Sequence, residues 1–204
     1  MKHLLVGITG ASGSIYGLRL TEELLRAGCR VSLLLSESGR QVLNYEAGLN
    51  WSADHAAKRQ QVVAHFDSPH VTVLDNLDLF AAVASGSNPA DAMIVIPCSM
   101  GTAGRIAAGL SSTLLERAAD VMLKERRPLL LVPRETPLHA IHLENLLRLS
   151  RAGAVIIPAM PAFYHAPQTL DDLVNFVVGK VLDQLGLPHT LFNRWGNTGD
   201  ADEQ

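Results

Sequence analysis

The sequence is poor in cysteine, in aromatic residues and in long apolar runs, and each shortage excludes something. Cys29 and Cys98 are its two cysteines, too few for a disulfide framework and without zinc-site spacing. Aromatic residues make up 5% against 48% for all hydrophobic types, so the core is expected to be mostly aliphatic. No apolar run approaches the ~18 residues of a membrane span, and no membrane partner is expected. There is no basic excess either. Seventeen basic and 20 acidic residues give a formal charge of -3, which argues against a nucleic-acid surface. None of the eight histidines shows metal-ligand spacing, so no metal is expected. Met1-Lys2 leads straight into an apolar strand without a cleavage pattern, so no signal peptide is expected. With so little cysteine, a reducing, cytoplasmic location is the simplest expectation.

What is present is organised around residues 4–17, LLVGITGASGSIYG. Residues 4–8 read as a buried strand. Thr9, Gly10, Ala11, Ser12 and Gly13 form a tight turn. An amphipathic helix then begins, with Ile15, Leu18, Leu24 and Leu25 spaced to share one face. A strand, a small-residue turn and a helix start present backbone N–H groups to an anion. Gly10 lets the backbone approach a ligand closely, because no Cβ intervenes. Yet Gly7, Gly10 and Gly13 do not spell the dinucleotide fingerprint, and the lysine of a P-loop is missing. The turn alone therefore leaves two readings open, a seat for a phosphate-bearing cofactor or a turn that binds nothing.

Further along, residues 31–35 read as a second strand ending in Ser36, Glu37 and Ser38. Glu37 suits a ribose and Ser36 a flavin chain or phosphate, but helix capping explains the serines equally well. Residues 41–49 read as helix, 50–70 as surface helix and loop, and 71–74 as a short strand. The small-residue loop 84–89, with Ser85 and Ser87, precedes a core strand. Residues 92–96, 129–132 and 155–157 are strands that each meet a proline, Pro97, Pro133 and Pro158, which is expected to stop them. Residues 111–125, 138–152 and 170–185 are helices. The alternation implies an α/β fold, a three-layer parallel sheet with helices on both faces in a single domain over residues 1–196. Residues 197–204 are expected to be a disordered acidic tail.

Polar residues gather just past the strand ends, where parallel sheets bind ligands. Glu135, beside Arg134, suits proton transfer or an ordinary surface ion pair. Cys98 reads as a small buried residue rather than a nucleophile. His139 and His142 read as helix-surface residues. Tyr164 lies in the Pro161–Pro167 loop, either packed beneath it or offering its hydroxyl to a phosphate. Trp195, in a fading terminal segment, is expected to find burial against a neighbouring subunit.

Taken together, the residues resemble the UbiX-type flavin prenyltransferases along nearly the whole chain. The resemblance is carried by Gly7-Ile8-Thr9-Gly10-Ala11-Ser12-Gly13 with Tyr16-Gly17, and by Pro97-Cys98-Ser99. It extends to residues 116–121 (ERAADV) and 124–129 (KERRPL), Val132-Pro133-Arg134-Glu135, Pro161-Ala162-Phe163-Tyr164-His165, Pro167-Gln168 and Arg194-Trp195. It implies a flavodoxin-like (Rossmann-like) subunit in a homododecamer. The implied activity joins a dimethylallyl group, from a dimethylallyl phosphate donor, to N5 and C6 of reduced FMN without a metal. The product would pass to a UbiD-type decarboxylase. The resemblance would put FMN on Gly10, Ala11, Ser12, Ser36, Cys98, Ser99, Met100, Gly101 and Arg134, with Ser12 near flavin N5. The donor phosphate would meet Tyr164 and Lys180, with Arg117, Lys124 and Glu135 around it. Trp195 would close the prenyl pocket near Ser85 and Ser87. Family members often carry arginine at the position of Lys180; lysine keeps the charge without the fork. Whether the donor is a mono- or diphosphate is left open. Two rival readings are a flavin-dependent cysteine-type decarboxylase of the same fold and a non-catalytic FMN carrier.

Overall fold

Six apolar segments pair into one parallel sheet: β1 (His3–Ile8), β2 (Arg30–Leu35), β3 (Val71–Val73), β4 (Ala92–Cys98), β5 (Leu129–Pro133) and β6 (Val155–Ile156). The computed structural model describes residues 1–196, so the acidic tail expected over residues 197–204 lies outside the described residues. The helices are α1 (Ser14–Arg26), α2 (Glu37–Ala47), α3 (His55–Phe66), α4 (Met100–Ala107), α5 (Leu114–Lys124), α6 (Ala140–Arg151) and α7 (Leu170–Leu185). The chain divides into two compact units. The first, Met1–Ala159, contains the whole sheet, and the second begins at Met160 and contains α7.

The strand order is β3-β2-β1-β4-β5-β6 and every pairing is parallel. Such a sheet is covered on both faces, so its strands are apolar without alternation. In β1, Leu4, Leu5, Val6 and Ile8 are all buried. Adjacent residues of a strand point to opposite faces. A Cβ at Gly7 would lie 3.0 Å from Leu115 of α5, while the Ile8 side chain lies against Gly17 of α1. Helices therefore cover both faces of the sheet, and the doubly wound three-layer arrangement is the one expected. The order reverses between β1 and β4, and there the carboxyl ends of the strands open a crevice.

Local sequence explains where the elements depart from the pattern. On α1 the buried stripe is Ser14, Gly17, Leu18, Thr21 and Leu24. Ile15, expected on that face, is 38% exposed, and Leu25 is only partly buried. Small residues take the inner positions because the helix lies close to the sheet: a Cβ at Gly17 would sit 2.6 Å from the Ile96 carbonyl. Helix α2 starts at Glu37, earlier than the spacing suggests, because the Ser36 hydroxyl accepts the Gly39 N–H at 2.9 Å. Helix α4 is short, and its buried side carries Met100, Ala103 and Ile106 at helical spacing. It starts because Ser99 caps it, accepting the Thr102 N–H at 3.2 Å.

Two of the three prolines do not stop their strands as expected, whereas β6 ends before Pro158. β4 continues through Pro97 to Cys98, and β5 includes Pro133. Proline removes one donor from the ladder, and the β4–β5 register shifts between Val95 and Cys98 to absorb it. The carbonyl of Pro97 remains in use. It accepts the Thr9 N–H at 3.2 Å and the Thr9 hydroxyl at 2.8 Å.

Candidate active site

The carboxyl ends of four strands are tied together by hydrogen bonds. Thr9, just past β1, donates its hydroxyl to Pro97 and accepts the Ser99 N–H at 2.8 Å, joining β1 to β4. The Ser36 N–H, past β2, donates to the Ile8 carbonyl at 3.1 Å. The Arg134 N–H, past β5, reaches the Cys98 carbonyl at 3.4 Å, and its Nε donates to the Ser12 carbonyl at 2.9 Å. Gly10, Ala11, Ser12, Ser36, Cys98, Ser99, Met100, Gly101 and Arg134 thus belong to one framework of strand ends and helix starts. Tyr16 joins it: the nearby Arg134 charge opposes the rise that burial imposes on its phenol.

Two details differ from the sequence reading. The N-terminus of α1 is not an open anion seat, because an anion of the chain already fills it. The Glu46 carboxylate accepts the N–H groups of Gly13 at 3.0 Å and Ser14 at 2.9 Å, and the Ser14 hydroxyl at 2.7 Å. The missing side chain of Gly10 also has a packing cause: a Cβ there would lie 2.5 Å from the Ser38 hydroxyl. The anion-ready position is instead the start of α4, where the chain turns at Ser99 beside Arg134.

Cys98 is fully buried, and burial pushes its thiol up to about 12, so it supplies backbone and packing rather than a nucleophile. Glu135 is exposed, and its Oε1 accepts the Thr136 N–H at 3.1 Å. Arg134 Nε donates to the Ser12 carbonyl, and among the described residues no ion pair joins it to Glu135, so the surface-pair reading does not hold.

A second cluster surrounds the small loop. The hydroxyls of Ser85 and Ser87 lie 2.8 Å apart. Arg117 donates its Nε to the Ala84 carbonyl at 3.0 Å and its Nη1 to Asp120 at 2.6 Å. Lys124 pairs with Glu125, and both side chains lie against Gly86, where a Cβ would collide with them. Arg117 and Lys124 are thus gathered around this loop rather than around Arg134 and Glu135.

In the second unit the Tyr164 ring meets Trp195 edge-on at 5.3 Å and Phe176 at 5.9 Å. An open cavity of about 450 Å³ is lined by Tyr164, His165, Arg194 and Trp195, among others. Trp195 is 77% exposed, so the burial expected for it is not supplied by the described residues. Lys180 is not a lining residue; its ammonium lies 3.7 Å from Asp183.

The flavoprotein family model matches residues 1–182. A flavin prenyltransferase UbiX of Alkalihalophilus pseudofirmus is 54% identical over 198 residues, covering 96% of both chains. The chain belongs to the UbiX-type flavin prenyltransferase family. Two solved structures share its fold at high similarity. AnUbiX (PadA1), solved in complex with FMN and dimethylallyl pyrophosphate, is 40% identical with a TM-score of 0.83, covering 96% of this chain and 97% of its own. A dodecameric FMN-dependent UbiX-like decarboxylase from Escherichia coli O157:H7 is 44% identical with the same TM-score, covering 95% and 98%.

For a UbiX-type chain, the residue the sequence reading missed is Glu46. It sits mid-chain on α2 with no motif around it, and only the fold brings it to the glycine turn. Burial pushes its carboxyl up, but hydrogen bonds from Ser12, Ser14 and Gly13 outweigh that and hold it below the usual range. A lowered carboxyl stabilises the fold above its unfolded pKa of about 4.3, and the contribution is lost as pH falls through the folded value. Glu46→Gln is therefore expected to melt lower than wild type at pH 7, with the gap closing below about pH 4. Thermal melts of both proteins across pH 3–7 check this, and a constant gap overturns it. Phe176 and Phe192 were missed as well, because aromatic residues on a helix and in a terminal segment read as ordinary packing, and His165 was quoted with its loop but given no role.

Proposed function

We propose that this chain joins a dimethylallyl group, from dimethylallyl phosphate, to N5 and C6 of reduced FMN. The observation that carries this reading is a division of labour within one chain. An anion-ready strand-end framework accompanies a separate aromatic cavity, in a family whose solved relative holds both FMN and dimethylallyl pyrophosphate.

The strand-end residues fit an anionic flavin chain. The start of α4 at Ser99, Met100 and Gly101, the hydroxyl of Ser36 and the guanidinium of Arg134 offer donors and positive potential. Gly10 and Ala11 bring backbone close, and Ser12, held by Arg134 and Glu46, is assigned to the reacting edge of the ring. When bound, reduced FMN supplies the nucleophilic positions that accept the allyl group.

The remaining residues serve the donor. Breaking a C–O bond to an allylic phosphate leaves negative charge on phosphate and positive charge on carbon. The family pattern assigns Tyr164 and Lys180 to the phosphate, and assigns to Arg117 and Lys124 the charge that would stabilise its departure. Trp195 presents an aromatic face to the allyl cation, and the Ser85–Ser87 loop helps exclude water. Glu135 moves a proton as the new ring closes.

The reading takes the chain as a homododecamer, in line with the dodecameric Escherichia coli relative, acting without a metal in the cytoplasm and handing its product to a UbiD-type decarboxylase. Both cysteines are free and buried, which suits a reducing compartment. Among the described residues no helix is long and apolar enough to cross a membrane. Residues 1–196 are taken as one flavoprotein α/β domain.

The test adds dimethylallyl mono- or diphosphate to the protein with reduced FMN and weighs the released flavin by mass spectrometry. A gain of one C5H8 unit is expected, and the donor giving it faster is the preferred one. Unmodified FMN with both donors overturns the reading.

A further inference from the structure

Helix α7 presents one face to the chain that follows it. Phe176, Gly179, Lys180 and Asp183 recur there at helical spacing. Gly179 must lack a side chain, because a Cβ would lie 2.5 Å from the Phe192 ring and 2.7 Å from the His189 ring. One turn back, Phe176 meets Phe192 with ring centroids 4.9 Å apart. One turn on, Asp183 fastens the segment. Its Oδ1 accepts Arg194 Nη2 at 2.7 Å and His189 Nε2 at 3.1 Å, and its Oδ2 accepts Arg194 Nη1 at 3.3 Å. The Leu191 N–H donates to Nδ1 of His189 at 3.3 Å, which places that ring's proton on Nε2, facing the carboxylate. The Arg194 hydrogen bond holds the Asp183 carboxyl below its usual range, with burial opposing it and His189 adding to it. Trp195 follows Arg194 directly, and what it touches is the edge of Tyr164.

We propose that Asp183 is a positioning residue for prenyl transfer: by clasping Arg194 and His189 it holds Trp195 against Tyr164 beside the cavity. The proposal rests on the prenyltransferase reading above. Asp183 touches neither donor nor flavin in it. A forked guanidinium–carboxylate pair fixes orientation as well as distance, so the residue next to Arg194 inherits a defined direction. Without the fork, Trp195 keeps an edge-on ring contact and little else, and the aromatic wall is no longer fixed where the allyl cation forms.

The charge can be removed with the shape kept. In Asp183→Asn the amide NH2 faces Arg194 Nη1 in one orientation and both Arg194 Nη2 and His189 Nε2 in the other, so at least one contact is lost whichever way it turns. Arg194 also marks the bond that reports the clasp, since trypsin cleaves after it. The experiment exposes full-length wild type and Asp183→Asn, each holding FMN, to limiting trypsin. Mass spectrometry follows release of the peptide beginning at Trp195, while prenyl transfer is measured in parallel. The variant is expected to be cleaved about tenfold faster and to lose about tenfold in turnover, the scale of one charge-assisted hydrogen bond. FMN affinity should be unchanged, and Asp183→Glu should recover part of both. Arg194→Lys keeps the trypsin site and the charge but removes the fork; it replaces Asp183→Asn should that variant not fold. Equal cleavage rates overturn the clasp. Faster cleavage with wild-type turnover overturns the positioning role. If wild type itself leaves FMN unmodified, the functional reading fails, and the cleavage comparison still decides the clasp.

Discussion

Replacing Glu135 by glutamine is expected to leave FMN bound and to lower prenyl transfer by ~10²-fold or more, the scale of general acid–base catalysis. The fold makes little use of the charge. Glu135 is exposed and its oxygen accepts one backbone N–H from its neighbour Thr136, which a glutamine oxygen accepts as well. Arg134 spends its Nε on the Ser12 carbonyl instead of on Glu135. Stability should therefore change by less than ~0.5 kcal/mol. A carboxylate that the fold does not need, placed just past β5, fits the proton-carrying role proposed for it. FMN titration, a thermal melt and a single-turnover assay on the variant separate the effects. Turnover at the wild-type rate removes Glu135 from the chemistry.

Lys180→Ala is expected to raise the donor concentration needed for half-maximal rate by about 10- to 150-fold. That is the equivalent of one charge-assisted hydrogen bond to phosphate. FMN affinity should hardly move, because its binding is assigned to residues of the sheet unit. The Lys180 ammonium is 47% exposed on its side chain and stands 3.7 Å from Asp183, beyond hydrogen-bond length, so a phosphate competes with a loose ion pair only. Lys180→Arg should keep most activity, since the fork grips two phosphate oxygens. Donor titrations with reduced FMN in each variant supply the check. A donor dependence in Lys180→Ala that matches wild type would make Lys180 an ordinary surface lysine.

The parts of the fold that were legible carried their signal locally. Helix α7 matches its expected bounds because Thr169 and Asp172 form a capping box before it and Gly186 turns left-handed after it. The strands were visible as short aliphatic runs, since a sheet covered on both faces needs no alternation. Helix α4 was not read, because its apolar stripe of Met100, Ala103 and Ile106 is short and is broken up by Gly101 and Gly104. The ends of β4 and β5 were misplaced because the rule that proline stops a strand looks at the lost N–H. It does not see that Thr9 makes use of the Pro97 carbonyl. Of the candidate site, the strand-end residues were legible from topology: whatever follows a parallel strand reaches the same edge. Glu46 and Asp183 were not, because each is an ordinary acid in an ordinary helix until the fold brings a distant N–H or guanidinium to it.

The division at Ala159 has a consequence in time. All six strands and every residue assigned to the flavin precede it, whereas Tyr164, Lys180, Asp183 and Trp195 follow it. At roughly 5–20 residues per second, a ribosome needs about two to nine seconds to add the remaining stretch. A nascent chain thus has the groups proposed for the flavin, and a sheet that can already pair throughout, before Tyr164, Lys180, Asp183 and Trp195 are made. Synthesis from the amino end supplies every group proposed for the flavin, together with Ser85, Ser87, Arg117, Lys124 and Glu135, before the proposed donor site can be completed.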